Sequence, residues 1–440
     1  MVFTCLSHDI VAHETAHALL DGMHRRMNRA TNPDMLAFHE AFADMVALFQ
    51  HFTFGEILRH QIDRTRGDIR SQENLLGQLA GQFGRTTGLR SALRDAIGAY
   101  DPDTRQWKPH RPDPAEYDKV KQPHRRGAIL VAAVFDAFLA IYNSRIADLL
   151  RLYTGGTGIL PAGAVHPDLI ERLSAEAAKT ARHVLTMCVR ALDYCPPVDL
   201  TFGEYLRALI TADVDMVPDD DRNYRVAFVD AFRRRGLYPR DVRTLSTENL
   251  VWRGPHNDDR QASPRLSSIV RELRDDAHRQ LYARDRKQIF RRERAVRRAL
   301  HRRLAEHFAS GEEGRQDAHF LGLDLDATAS FEVHSAHFAT RIGPDGNVRF
   351  QLVLQITQEL TMQQDDYRTM LFDGGSTVVA DLAQSRLMYC IRKPLASLTR
   401  RERQRQFLRE IVELSPRATY FGAPDFTTVR EPFAVLHRGL

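Results

Sequence analysis

The chain has 440 residues, 43% hydrophobic and 27% charged, with 62 Lys and Arg against 57 Asp and Glu. That apolar content supplies cores for two or three domains and excludes a disordered polyelectrolyte. No run of 18 apolar residues occurs, so no membrane helix is expected, and residues 1 to 20 lack a secretion signal's basic start, apolar run and cleavage site.

Cys5, Cys188, Cys195 and Cys390 are scattered without a disulfide framework, which fits a reducing compartment and a cytoplasmic location.

The first predicted element is a helix through SHDIVAHETAHALLDG. It carries His13-Glu14-Thr15-Ala16-His17. On a helix the two imidazoles stack on one face, about 6 Å apart along the axis, where both can grip one ion. Glu14 is rotated by about 100° and would flank a water on that ion, where a general base is needed. A hydrolytic zinc site then requires a third protein ligand and an open corner. His24, about 10 Å further along a straight helix, is too far, and Leu20 and Met23 stand where an HExxHxxGxxH arrangement needs Gly and His. Glu40 is the better candidate. It lies in an apolar-periodic helix (Met35, Leu36, Phe38, Phe42, Met45, Val46, Phe49) with Asp44 one turn on. Two acids on such a face are costly unless they meet a cation or hold a ligand's N–H.

This stretch resembles the thermolysin-type zinc metallopeptidases, the gluzincins, whose pattern is HExxH followed some twenty residues later by NExxxD. The resemblance implies a mainly α-helical zincin-like metallopeptidase subdomain. By position, His13, His17 and Glu40 match the zinc ligands, Glu14 the catalytic base, and Asp44 the aspartate that orients the first histidine. His39 stands in place of the family's Asn and becomes the candidate partner of His17. The family begins with a β-rich lobe that carries the substrate strand. Here the metal helix starts within about ten residues of Met1, so the expectation is a piece of a longer, secreted enzyme, a half-enzyme needing a partner, or a chain without peptidase activity.

Further helix is predicted at Glu56-Ile57-Leu58 and Asn74 to Leu79, then a Pro-rich loop from Asp101 to Pro123. Pro123-His124-Arg125-Arg126-Gly127 runs into an apolar helix. The family has a histidine in such a setting that hydrogen-bonds the oxyanion, which makes His124 the candidate transition-state stabiliser, oriented by Asp118 or Glu116. Helices follow over 129–153 and 167–193, from Thr201 as N-cap through Ile210, and from Asn223 to Arg235 with Gly236 as stop. The resemblance extends to about residue 240. Tyr224, Phe228 and Phe232 read as core.

The first domain is set at 1–246. Residues 247–315 comprise a polar linker to Pro264 and a long helical segment with one apolar stripe (Leu266, Ile269, Leu273, Val296, Leu300, Leu304) and arginine elsewhere. Interleaved acids (Glu272, Asp275, Asp276, Asp285, Glu293, Glu306) suggest a solvated face of Arg–acid pairs and argue against a nucleic-acid partner. Residues 316–440 read as a smaller α+β domain with two hairpins. Phe350, Leu352, Leu354 and Ile356 alternate with Gln351, Val353, Gln355 and Thr357 as a half-buried strand. Gly343 to Asn347 turns it back on Ser330 to Arg341, and Ser376 to Arg392 forms the second hairpin. His334 and His337, three apart, are expected on opposite faces. This module is a possible protein-partner surface.

The sequence therefore predicts a zinc metallopeptidase acting on a peptide or protein substrate. The rival is a zinc-stabilised binding scaffold without activity.

Overall fold

The computed structural model describes residues 8–69, 98–100, 107–109, 111–255, 262–273, 284–327, 329–343, 345–364 and 368–414. The chain is mainly helical, with a four-stranded antiparallel sheet in its C-terminal part.

Helices α1 (His8–Met23) and α2 (Pro33–Gln50) pack side by side, and α3 (Gly55–Thr65) follows. The predicted helix at Asn74 to Leu79 lies outside the described residues. The stretch expected as loop holds the short strand β2 (Trp107–Pro109), paired with β1 (Gly98–Tyr100), and one turn of helix, α4 (Glu116–Lys119). The centre is α5 (Pro123–Tyr153), flanked by α2, by α6 (Pro167–Ala191) and by α8 (Tyr224–Arg234), with α7 (Phe202–Met216) against α6. α5 is long and apolar enough to cross a membrane, but 78% of its apolar window is buried inside the protein. Its hydrophobicity serves the core, as expected of a helix apolar on all sides.

Caps fix the helix starts. Thr201 and Glu204 form a reciprocal capping box at α7. Gly236, at φ +72°, ends α8 in a conformation that glycine adopts without strain. Tyr224, Phe228 and Phe232 are core residues, as predicted.

The polar stretch after 246 is not a free linker. It forms a short helix, α9 (Thr247–Leu250), whose Leu250 is buried in the helical core, and the Arg207 guanidinium stacks on Trp252. The long arginine-bearing segment is described as two helices, α10 (Pro264–Arg271) and α11 (Arg286–Phe308). Gly311 begins another helix, α12 (Glu312–Phe320), where the sequence suggested only a turn before strands.

β3 (Phe331–Ile342), β4 (Val348–Gln364), β5 (Arg368–Asp381) and β6 (Arg386–Lys393) form a meander in chain order, and α13 (Leu398–Leu414) follows. Both predicted hairpins are present, and β4 and β5 also pair along their length.

The half-buried reading of β4 is corrected. One face (Leu352, Leu354, Ile356) packs on α10, α11 and α12. The other face, though polar, is buried against the helical body. Gln351 donates to Asp215 at 2.6 Å, Gln355 meets His24 at 3.0 Å, and Thr377 of β5 donates to the Cys195 carbonyl at 2.7 Å. Period-2 alternation normally marks a wet face; here specific hydrogen bonds replace water. His334 and His337 are corrected likewise. A bulge between Val333 and Ser335 resets the alternation, and both histidines come within electrostatic reach of buried His24.

The sheet also clamps the loop that joins the first two helices. Arg26 and Arg29 each donate to Glu359 at 2.6 Å, and reach buried Asp373 at 3.0 and 2.9 Å. The ends of α1 and α2 are thereby tied to β4 and β5.

Candidate metal centre

Helix α1 buries His13, Ala16, His17 and Leu20, the i, i+3, i+4, i+7 set that forms one stripe of a helix. The imidazoles lie on that stripe because its other members are apolar and draw the face against α2. Glu14 lies outside the stripe and is exposed.

Helix α2 begins at an Asn32 cap and Pro33 and is buried on most sides. It contributes His39, Glu40 and Asp44, all of them buried. α5 completes the site. Gln122 caps it and Pro123 occupies its first turn, so His124 stands in that first turn and not in the loop the sequence suggested. Two features press this helix start against Glu40. At Gly127 a Cβ would lie 2.7 Å from the Ala37 carbonyl oxygen and 3.5 Å from the Glu40 Cβ, so only glycine permits the approach. Beside it, buried Arg126 donates to Asp34 at 2.5 Å and to the carbonyls of Tyr117 and Val120 at 2.6 Å. Asp34 also accepts from the Tyr117 hydroxyl and the Phe202 amide. The first turns of α2, α5 and α7 meet at this one carboxylate.

The ring atoms converge. His13 Nε2 and His17 Nε2 are 2.9 Å apart, and Glu40 Oε2 is 3.5 Å from the first and 3.6 Å from the second. A tetrahedral ion with bonds of 2.0 to 2.1 Å separates its ligand atoms by about 3.4 Å, so the three atoms approximate one face of such a polyhedron. This buried group can hold a metal ion.

The far sides of both rings are engaged. His13 Nδ1 lies 2.9 Å from Asp44 Oδ1. His17 Nδ1 lies 2.6 Å from His39 Nδ1, and His39 Nε2 lies 3.3 Å from Asp21 Oδ1. With Nδ1–H of His13 given to Asp44, and that of His17 passed through a neutral His39 to Asp21, both Nε2 lone pairs face the same point as the Glu40 carboxylate. Such a donor set repels itself unless a positive charge sits among it, and so it fits a cation. The electrostatics agree. Burial opposes charge on His13, but the hydrogen bond to Asp44 and the nearby Glu40 prevail and push its pKa up to about 10, so the group draws a positive charge, here a proton, to the point where an ion would sit. His39 is shifted the other way, first by burial and then by His17, against the pull of Asp21 and Glu40, which favours the neutral ring that the relay uses.

The structure thus brings together His13, His17, Glu40, Asp44, His39 and His124. His124 Nε2 is 3.5 Å from Glu40 Oε2, and its Nδ1 lies 3.1 Å from Gln122 Nε2. Gln122, which the sequence did not suggest beside Asp118 and Glu116, is a partner that orients it. His24 is not among the converging donor atoms and is held by Gln355. Sequence reasoning missed Asp21, although its i+4 spacing from His17 was a usable signal. It also missed the Asp34–Arg126 anchor, which no local pattern announces. Compared with protein-family models, with curated proteins and with solved structures, the chain matches none.

Proposed function

We propose that the chain is a zinc-dependent peptide-bond hydrolase of zincin-like architecture. The observation that carries the reading is the convergence of two imidazoles and one carboxylate, each imidazole backed by its own hydrogen-bond partner, on a single buried point. His13, His17 and Glu40 would hold the zinc; when bound, it supplies a Lewis acid that polarises a carbonyl and makes water acidic enough to ionise near neutral pH.

The chain's own groups do the rest. Glu14, exposed beside His13, takes the proton of the attacking water and passes it to the leaving amine. His124 donates an N–H to the oxygen that gains charge as the peptide carbonyl is attacked. Asp44 and His39 hold the two ligand rings in the required tautomer and orientation. Asp34 and Arg126 keep the first turn of α5, and with it His124, against α2.

Glu14→Gln should abolish peptide hydrolysis while leaving stoichiometric zinc bound. A Glu14→Gln variant that cleaves a peptide library as fast as the parent would refute the assignment. A second reading has an observation of its own. His124 Nε2 lies as far from Glu40 Oε2 as the two ligand histidines do, and as a fourth ligand it would close the site into a structural one. His124→Ala separates the two: lost cleavage with zinc retained supports the hydrolase, and weakened zinc binding in a parent that never cleaves supports the scaffold.

A further inference from the structure

The outer face of α11 carries Lys287, Arg291, Arg294, Arg298 and Arg302, all exposed and spaced by 4, 3, 4 and 4 residues. That spacing puts them on one stripe, about 22 Å long, with a cation roughly every turn of 5.4 Å. The opposite face, Val296, Leu300, Leu304 and Phe308, is buried against the sheet, so the helix is held rigid and presents the row outward.

Neutralising partners were expected from the acids interleaved in sequence; of those described, Glu272 and Asp285 are engaged elsewhere, while Glu293 stands on α11 itself off the line of the row. Glu272 pairs with Arg303 at 3.0 Å, Asp285 caps α11 by accepting from the Lys287 amide, and Glu306 lies one turn beyond the end of the row. None of the five cations is within 4 Å of a carboxylate among the described residues. The inward arginines do structural work: Arg297 donates to the His334 carbonyl at 3.0 Å.

We infer that this row is a binding surface for the phosphate backbone of duplex nucleic acid. The row, with exposed Arg286 and Arg292 beside its N-terminal part, is a narrow strip of charge along one helix, which complements a linear polyanion better than a plane of lipid headgroups. The exposed large apolar side chain of that helix is Phe290 alone, less than an interfacial helix inserts into a bilayer. Each strand of a duplex carries one phosphate per 3.4 Å of axis, so 22 Å of strand offers about six phosphates to five cations. With five counterions released the affinity falls with a salt slope near −4.5, about a 500-fold loss between 50 and 200 mM salt.

The experiment is anisotropy of a labelled duplex of roughly 24 base pairs, of mixed sequence, titrated with the full-length protein at both salt concentrations. The triple variant Arg291→Gln, Arg294→Gln, Arg298→Gln leaves two cations of the row and replaces only exposed side chains. Its melting temperature should match the parent's, its duplex affinity should be far weaker at low salt, and its salt-dependent loss should shrink to about 12-fold. Duplex binding equal in parent and variant overturns the inference. So does a parent that ignores the duplex but binds anionic phosphatidylserine vesicles or polyglutamate through the same arginines, which would assign the row to a lipid or protein partner.

Discussion

Replacing Asp44 by Asn removes the negative charge facing His13 Nδ1 at 2.9 Å and leaves the size of the side chain almost unchanged. Asp44 is 6% exposed, so water cannot take over the contact. Two effects follow. The His13 ring loses the acceptor that fixes its Nδ1–H tautomer, and its Nε2 loses the basicity that a carboxylate partner confers. Groups in this position are worth about 10- to 100-fold in metal affinity, or roughly 1.4 to 2.7 kcal/mol. His39→Leu should act similarly through the 2.6 Å contact to His17, and the double variant should lose more than either alone, because the two partners back different rings. Zinc affinity is measured by competition with a chromophoric chelator. The thermal stability of the metal-free proteins, measured in parallel, distinguishes weakened coordination from a damaged fold. The reasoning is refuted if Asp44→Asn binds zinc within twofold of the parent, or if Glu40→Gln retains one tightly bound ion per chain.

Gly127→Ala should destabilise the fold by about 1 to 3 kcal/mol, because the new Cβ at 2.7 Å from the Ala37 carbonyl oxygen forces α2 and α5 apart; chemical denaturation reads the loss, and zinc affinity should fall with it because Glu40 lies at the same contact. His24 predicts a pH dependence. Burial lowers its pKa from 6.5 to about 4, against the pull of Asp193 and with help from His337, His334 and His39. Between these values the unfolded chain binds the extra proton and the folded one does not. Stability therefore falls as pH drops from 6.5 toward 4, by about 2 to 3 kcal/mol from this group. Urea titrations across that range should show the slope, and a His24→Gln variant should flatten it; an unchanged slope in the variant would remove His24 as its source.

The candidate metal cluster was legible in the sequence because its residues obey local rules. His13 and His17 are four apart on one helix, and Glu40 and Asp44 are four apart on another, so helical geometry alone puts each pair on one face. Acids and imidazoles on otherwise apolar stripes signal that they face one another. Tyr224, Phe228 and Phe232 were legible as core for the same reason, and the hairpin at Gly343 to Asn347 because turn residues interrupt two alternating runs.

What the sequence determined by itself is therefore the local part: helices and strands with their periods, the apolar stripes, and the two pairs of chemically costly side chains. Tertiary structure decided the rest. It chose Asp21, eighteen residues before His39, as the end of the His17 relay. It buried the polar face of β4 because Asp215 and His24 sit opposite Gln351 and Gln355, and it left five cations of α11 outward by drawing Glu272 to Arg303 and Asp285 to the helix cap. The physical reason is common to all of these. A polar group reads as exposed in sequence, and only the packed chain shows whether its hydrogen-bond partner is water, a distant side chain, or a charge that its neighbours have already claimed.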